Sequence, residues 1–154
     1  MATDSQDRST ADSPARAPGG DIEVLDKASG EPLGTVTSVT LAETEQAVEA
    51  VSAAQPRWAA TSGHERAWVL RRAAIELDRR RDEVIELVMR ETGGIRRLAL
   101  FEVDGSIVEI FEAAALAMRP VAETYPSGAE GWVNTVVRAP VGVVAVMTPW
   151  NFPL

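Results

Sequence analysis

One asparagine stands in a setting that could support chemistry. Asn151 lies between Pro149 and Pro153 and beside the bulky Trp150 and Phe152, and the two prolines restrict the backbone around it. A carboxamide held in one place can donate a hydrogen bond to an oxygen that gains negative charge, and losing such a donor typically costs about 3 kcal/mol of transition-state stabilisation. Asparagine is also common as a residue that caps a turn. From the residues alone, turn capping is the favoured role of Asn151.

The segment before this loop predicts a buried strand. Residues Val141–Met147 are apolar on both faces of an extended chain, which is typical of a central parallel strand covered by helices on both sides. In open α/β sheets, ligands bind beyond the carboxyl ends of such strands, where Asn151 stands. A parallel strand needs neighbours and a crossover connection, and no residues after Leu154 supply them. We therefore expect the chain to be cut inside a larger α/β fold.

The run Pro140–Leu154, PVGVVAVMTPWNFPL, closely resembles the strand-and-loop motif of the aldehyde dehydrogenase superfamily. The resemblance implies that this strand is the first of a Rossmann-like cofactor domain, and that the loop passes the nicotinamide end of NAD or NADP. It also implies that Asn151 is catalytic and stabilises an oxyanion. The backbone of the loop would line the nicotinamide site through Thr148, Pro149, Trp150 and Asn151.

Weaker landmarks upstream extend the resemblance over residues 22–154. They are an early turn, a first helix that ends in Trp, the start of the next helix and a Glu-x-Gly, found at Asp26–Glu31, Ala47–Trp58, Glu65–Ala67 and Glu91–Gly93. The chain departs from the family pattern at two places. Asp26-Lys27 replaces the usual Asn-Pro, and Gly94 stands where Lys is usual. Both departures touch peripheral turns and leave the implied activity class unchanged.

The resemblance implies that the intact protein oxidises an aldehyde to a carboxylic acid while it reduces NAD(P)+. In this family a Cys attacks the aldehyde, hydride passes to the nicotinamide, and a Glu acts as general base. The chain contains no cysteine. The nucleophile, the general base and the phosphate loop are therefore expected beyond Leu154, and the isolated chain is expected to be inactive. The stretch Ala99–Leu116 resembles the branch that acts on benzaldehyde-like aromatic aldehydes.

A non-catalytic function is the alternative. The chain would then be a helical interaction module that binds a partner through its apolar C-terminal strand, since strand addition to an exposed edge is a known recognition mode. An apolar end left exposed is an aggregation hazard, which counts against this alternative. Gel filtration and circular dichroism separate the two, because a monodisperse chain that melts cooperatively favours the module.

The N-terminal segment of the chain is polar, and the elements that position the loop follow it. Residues 1–20 carry almost no large apolar side chains and predict a disordered leader. Residues 21–154 predict an incomplete aldehyde dehydrogenase domain of the α/β class. Within it, two short segments at Ile22–Asp26 and Leu33–Val39 predict a hairpin.

Three helices are predicted next, each with apolar residues at helical spacing. Capping boxes that begin with Thr40 and Ser62 start the first two helices. The first helix is expected to end near Pro56, because proline breaks the hydrogen-bond ladder. The second is expected to run without interruption to Gly93, and the third covers Arg96–Met118.

The run Gly131–Arg138 predicts a half-exposed strand, because β-branched and polar residues alternate along it. The family resemblance implies that this strand extends the sheet of a neighbouring subunit, so we expect a homo-oligomer. An edge strand this apolar is an aggregation risk unless it is covered. A proline at Val136 is expected to remove a backbone donor and block the pairing.

Composition limits the classes of partner. The chain has 154 residues, a net charge of −8 and a pI near 4.7, with 45% hydrophobic and 25% charged residues. We therefore expect no nucleic-acid or anionic-membrane partner, because no basic excess exists to neutralise phosphates. The opening residues are polar and acidic, unlike a targeting peptide, and a cytoplasmic protein is expected.

Other residues are weaker candidates for a site. A lone histidine, His64, cannot form a metal site, and no metal is expected. Acidic residues surround Arg79–Arg81, which predicts a solvated helix face. Trp58 and Trp68 lie on helical stripes and are expected in the core. Four carboxylates are scattered around the third helix without pairing: Glu102, Asp104, Glu109 and Glu112.

Overall fold

The computed structural model describes residues 19–154, which form two hairpins separated by four helices. In chain order the elements are β1 (Asp21–Leu25), β2 (Pro32–Thr37), α1 (Leu41–Ala60), α2 (Gly63–Arg79), α3 (Arg81–Thr92), α4 (Arg96–Ala117), β3 (Ala122–Pro126) and β4 (Val133–Val137). Apart from Gly19 and Gly20, the predicted leader at residues 1–20 lies outside the described residues. None of the described helices is long and apolar enough to cross a membrane.

The first hairpin is confirmed. β1 and β2 pair antiparallel, with Ile22 opposite Val36. Its turn is built by Asp26, whose carboxylate accepts the backbone N–H of Ala28 at 2.9 Å and of Ser29 at 3.2 Å. The backbone closes the same turn, because the Gly30 amide donates to the Asp26 carbonyl at 2.8 Å and the Asp26 amide donates to the Glu31 carbonyl at 2.9 Å.

Both capping boxes are confirmed. The Thr40 side chain accepts the amide of Glu43, and the Glu43 carboxylate accepts the amide of Thr40 at 2.7 Å. Ser62 and Glu65 repeat the arrangement at the start of α2, with the Ser62 amide 3.1 Å from the Glu65 carboxylate. Each box satisfies amide donors that the first helical turn leaves free.

The expected end of the first helix is wrong, because α1 continues through Pro56 to Ala60. A proline within a helix removes one amide donor and leaves the carbonyl four residues earlier without its partner. That carbonyl belongs to Ser52, and both Ser52 and Pro56 are exposed. Water can therefore hydrogen-bond the carbonyl, and the helix extends for one more turn.

The second predicted helix is two helices. The chain breaks at Arg80, whose φ and ψ of −99° and 14° lie outside the helical region, and α3 starts at the next residue. No glycine or proline marks this break in the sequence. Since α2 and α3 both pack against α4, the change of direction lets each helix bury its own apolar stripe. The end of α3 at Gly93 is confirmed, with that glycine in the left-handed conformation at φ 72°.

The core lies along α4, and it is made largely of small side chains. Ile85, Val88, Ala99 and Val103 form one buried cluster between α3 and α4. Between α2 and α4 the fully buried residues are alanines: Ala67, Ala74 and Ala114. Small contact residues let helix axes approach closely.

The expected burial of two tryptophans is wrong. Trp58 remains 48% exposed and Trp68 56% exposed. Trp58 lies on α1, which buries none of its residues. Trp68 lies on α2, and because alanines line the contact of α2 with α4, these two helices are too close there to enclose its indole ring. Helical spacing identified the stripe but not which residues on it are covered.

The strand predicted at residues 131–138 is present as β4, which pairs antiparallel with β3 in the register Ala122 opposite Val137. Its partner β3 was not predicted. The segment Ala122–Pro126 mixes Thr and Tyr, which favour strands, with Ala, Glu and Pro, which do not. This mixed signal leaves the decision to its pairing with β4.

The parallel strand predicted at Val141–Met147 is not formed, since residues 138–149 carry no regular secondary structure. This segment is highly exposed, with Val141 at 91% and Met147 at 93%. A parallel strand is stable only beside a neighbour in its sheet. The described residues form two separate two-stranded sheets, and neither pairs with this segment.

Candidate functional site

A tight turn presents Asn151. The Phe152 amide donates to the carbonyl oxygen of Pro149 at 3.1 Å, so Trp150 and Asn151 are the two central residues of a four-residue turn. A backbone hydrogen bond therefore closes the turn, and the Asn151 side chain is not needed for that purpose. The residue is exposed. This geometry weakens the turn-capping interpretation.

The other predicted cofactor residues surround the same turn. Thr148, Pro149 and Trp150 are exposed, and Trp150 exposes 85% of its surface. The turn uses the Pro149 carbonyl and the Phe152 amide. The main-chain polar groups of the two central residues lie at the exposed tip of the loop.

Beyond the turn, the chain returns to the helices. The Leu154 amide donates to Oε1 of Glu102 at 2.8 Å, which joins α4 to the loop across 52 residues of sequence. Glu102 is only 8% exposed. The sequence analysis placed Glu102 among four unpaired carboxylates and predicted neither its burial nor this hydrogen bond. The signal that could have found it is its position three residues after Ala99 and beside Val103, both on the buried face of α4.

An open groove of about 670 Å³ lies between the loop and the outer face of α4. Its walls are mostly apolar, with aromatic rings from α4 and from the loop. The residues that shape it include Phe101, Glu102, Gly105, Glu109, Ile110 and Phe152. A Cβ placed on Gly105 would meet nothing within 4 Å, so the groove has free space at its floor. An apolar groove with few polar groups is typical of a small-molecule site.

A second groove of about 530 Å³ lies at the other end of α4. Trp58, Arg66, Arg119 and Val141 are among its lining residues. None of residues 148–154 contributes to it, whereas Phe152 and Leu154 line the first groove, so the second groove is not part of the candidate site.

The remaining polar candidates are surface groups. Arg79 pairs with Glu76, and Arg80 with Glu83, each at 2.6 Å on exposed side chains. Arg81 reaches Asp104 on α4, also at 2.6 Å, and its guanidinium lowers the pKa of that carboxyl. The predicted solvated face is confirmed. His64 is exposed, and in residues 19–154 no cluster of three acidic or histidine side chains could hold a metal ion.

Comparison with known proteins decides the family. The aldehyde dehydrogenase family model matches residues 15–154. The chain belongs to the aldehyde dehydrogenase family. It is 39% identical over 138 residues to the NAD+ benzaldehyde dehydrogenase of Pseudomonas putida, a match covering 90% of this chain and 28% of that relative. It is 40% identical over 139 residues to a vanillin dehydrogenase of Amycolatopsis, with 90% of this chain and 28% of the relative covered.

Solved structures of aldehyde dehydrogenases share the fold. The crystal structure of an NAD-dependent benzaldehyde dehydrogenase from Corynebacterium glutamicum superposes with a TM-score of 0.79 at 31% identity, covering 89% of this chain and 30% of that chain. An aldehyde dehydrogenase from Brucella melitensis superposes with a TM-score of 0.82 at 36% identity, covering 88% of this chain and 28% of that chain. The predicted fold class is confirmed: the chain has the architecture of the N-terminal part of an aldehyde dehydrogenase, and it spans about 28% of the length of its curated relatives.

Proposed function

We propose that this chain is the N-terminal part of an enzyme that oxidises an aldehyde to a carboxylic acid and reduces NAD+ or NADP+. The supporting observation is the exposed Asn151 carboxamide on a turn that a backbone hydrogen bond already closes. Membership of the aldehyde dehydrogenase family adds support. Relatives are named for either coenzyme, NAD+ in the benzaldehyde dehydrogenase of P. putida and NADP+ in the succinate-semialdehyde dehydrogenase of Escherichia coli.

In this proposal Asn151 stabilises developing negative charge. When a nucleophile adds to an aldehyde, the carbonyl oxygen becomes an oxyanion, and a carboxamide N–H already aimed at it needs no reorganisation. The tight turn supplies this preorganisation, with Pro149 and Pro153 limiting the backbone on either side. The nucleophile is a cysteine in this family, and residues 1–154 contain none. It is therefore supplied from outside this chain.

The loop also fits the nicotinamide end of the coenzyme. When bound, NAD(P)+ accepts the hydride that leaves the substrate carbon. The carboxamide of a nicotinamide offers both a donor and an acceptor. The exposed main-chain groups of Thr148, Trp150 and Asn151 offer complementary donors and acceptors, whereas Pro149 offers only its ring and its carbonyl. These residues would hold the ring against the loop.

We propose an aromatic aldehyde as the substrate. The groove beside the loop has an apolar wall with the rings of Phe101 and Phe152, and Ile110 lies on the same wall. Aromatic rings favour offset or edge-to-face contacts with one another, each worth about 0.5–1.5 kcal/mol beyond area burial. Two of the relatives are named for benzaldehyde and vanillin, which are both aromatic aldehydes.

We also propose that β4 is an oligomerisation strand of an incomplete domain covering residues 21–154. In the described residues β4 pairs only with β3, so its other edge is free. The strand is apolar and exposed, with Val133 at 67% and Val137 at 65%. A free apolar edge of this kind calls for a covering strand, and a second copy of the chain is the partner we propose.

Replacement of Asn151 tests the central claim. In the full protein that carries this chain, Asn151→Ala should lower turnover by about a hundredfold while coenzyme affinity changes little. Gln46→Ala, on exposed α1, is the control for loss of a carboxamide and should leave turnover unchanged. Steady-state and single-turnover kinetics measure both. Unchanged turnover in Asn151→Ala, with chemistry shown to be rate-limiting, would rule out the oxyanion role.

A further inference from the structure

We propose that Glu102 is a positioning residue that holds the Asn151 turn against α4. This inference rests on the proposed function. The observation that supports the proposal is a hydrogen bond of 2.8 Å, which the Leu154 amide donates to Oε1 of Glu102. Leu154 comes three residues after Asn151 and two residues after Phe152, the last residue of the turn. A carboxylate on a rigid helix is thus bonded to the main chain at the base of the catalytic turn.

The environment of Glu102 makes this bond a firm one. The residue is 8% exposed and belongs to the buried face of α4, where Ala99 and Val103 are also covered. Packing there restricts the helix and the first atoms of the side chain. A hydrogen bond that neighbouring side chains shield from water is stronger than one in solvent. The acceptor is therefore fixed in place before any ligand arrives.

The contacts around Leu154 show that the loop end is seated between two helices. Phe152 and Leu154 line the groove along α4, and Pro153 and Leu154 line a shallow cleft against Val84 and Leu87 of α3. These contacts are apolar and allow sliding along the helix surface. The hydrogen bond to Glu102 is directional, so it fixes the loop at one position along α4. Pro153, with its fixed φ, transmits that register towards Asn151.

The consequence for catalysis concerns distance. An oxyanion donor must lie about 2.7–3.1 Å from the oxyanion, and a misplacement of about 1 Å can cost a hundredfold in rate. Loss of the bond to Glu102 would let the turn drift relative to α4 and the groove. The bond requires an acceptor oxygen at this point but does not require a negative charge, and this difference makes the proposal testable.

Three variants of the full protein that carries this chain separate the roles. Glu102→Ala removes the acceptor, and Glu102→Gln keeps a carbonyl oxygen of nearly the same reach. Glu112→Gln, on an exposed part of α4 away from the groove, controls for loss of a helix carboxylate. One measurement is hydrogen exchange of the peptide covering residues 148–154, followed by mass spectrometry. The other is the separate effect on kcat and on the KM for coenzyme and aldehyde.

We expect exchange in this peptide to be at least about tenfold faster in Glu102→Ala, with kcat reduced by about tenfold or more and a smaller change in KM. Glu102→Gln should restore most of the slow exchange and most of kcat. Glu112→Gln should match the unmodified protein in both measurements. Unchanged exchange or unchanged kcat in Glu102→Ala would overturn the proposal. So would a Gln variant as impaired as the Ala variant, because the charge would then be the requirement. The proposed function has its own test. If Asn151→Ala kept full turnover, the oxyanion role would be ruled out, but the effect of Glu102→Ala on hydrogen exchange would still be expected.

Discussion

Asp26 in the first turn and Arg90 near the end of α3 form a hydrogen-bonded ion pair, with Nε of Arg90 2.8 Å from Oδ2 of Asp26. The backbone adds a second link, because the Lys27 amide donates to the Arg90 carbonyl at 2.9 Å. Together the two bonds attach the β1–β2 hairpin to the helices. The Arg90 side chain, helped by the amides of Ala28 and Ser29, lowers the pKa of Asp26 below its usual value.

This ion pair predicts a pH-dependent stability. Because the carboxyl pKa is depressed in the folded chain, its contribution is present above the usual value of 3.8 and is lost as the pH falls through the lower folded value. Asp26→Asn should therefore lower the free energy of unfolding at neutral pH, and the difference from the unmodified chain should shrink in acid. Urea unfolding over this pH range measures the effect. Glu45→Gln, on exposed α1, is the control, and a difference independent of pH would contradict the prediction.

The close approach of α2 and α4 at Gly63 predicts that a methyl group added there lowers stability. A Cβ on Gly63 would collide with the carbonyl oxygen of Ala117, where the start of α2 meets the end of α4. Gly63→Ala should destabilise the fold by roughly 1–3 kcal/mol, because backbone must shift. Gly105→Ala is the matched control: it adds the same methyl group in open space within α4 and should stabilise by about 0.5–1 kcal/mol. Thermal unfolding followed by circular dichroism measures both, and equal shifts in the two variants would contradict this view.

The isolated 154-residue chain should not oxidise aldehydes. It has no cysteine to form the covalent adduct. Purified chain incubated with benzaldehyde and either coenzyme should show no increase in absorbance from NAD(P)H. Reduction of coenzyme that disappears in Asn151→Ala would contradict the prediction. Gel filtration and thermal melting of the same sample bear on the alternative function, since a monodisperse chain with a cooperative melt favours an interaction module.

The free edge of β4 predicts where a proline blocks assembly. The Arg138 amide bonds the Val121 carbonyl at 2.7 Å, and hydrogen-bonded pairs alternate along an antiparallel ladder. Val136, opposite Glu123, therefore points its amide towards β3, so the sequence-based choice of Val136→Pro would damage the hairpin itself. The amide of Thr135 points to the free edge instead.

Thr135→Pro in the full protein should shift the oligomer towards monomer while the hairpin is kept, because proline is tolerated where its missing amide faces outward. Thr135→Val, which retains the amide, should assemble normally. Light scattering at matched concentration measures the oligomeric state. An unchanged oligomer in Thr135→Pro would show that β4 is not at the interface.

Local signals in the sequence were sufficient for much of the architecture. The capping boxes at Thr40 and Ser62, the turn at Asp26 and the helix end at Gly93 were all predicted correctly. In each case the deciding interactions lie within a few residues of one another along the chain. The family was predicted from the run Pro140–Leu154 and confirmed by the match over residues 15–154, because a contiguous motif does not depend on distant contacts.

Only the tertiary structure decided features that depend on distant partners. The break at Arg80 arises because α2 and α3 both pack on α4, and β3 is a strand because β4 lies beside it. The collision that requires glycine at residue 63 involves Ala117, and the acceptor role of Glu102 involves Leu154. The physical reason is common to all four: burial and hydrogen bonding are satisfied by whichever residues the fold brings together. The spacing of apolar residues in the sequence indicates which face of a helix or strand is buried, but it does not indicate which other element packs against that face.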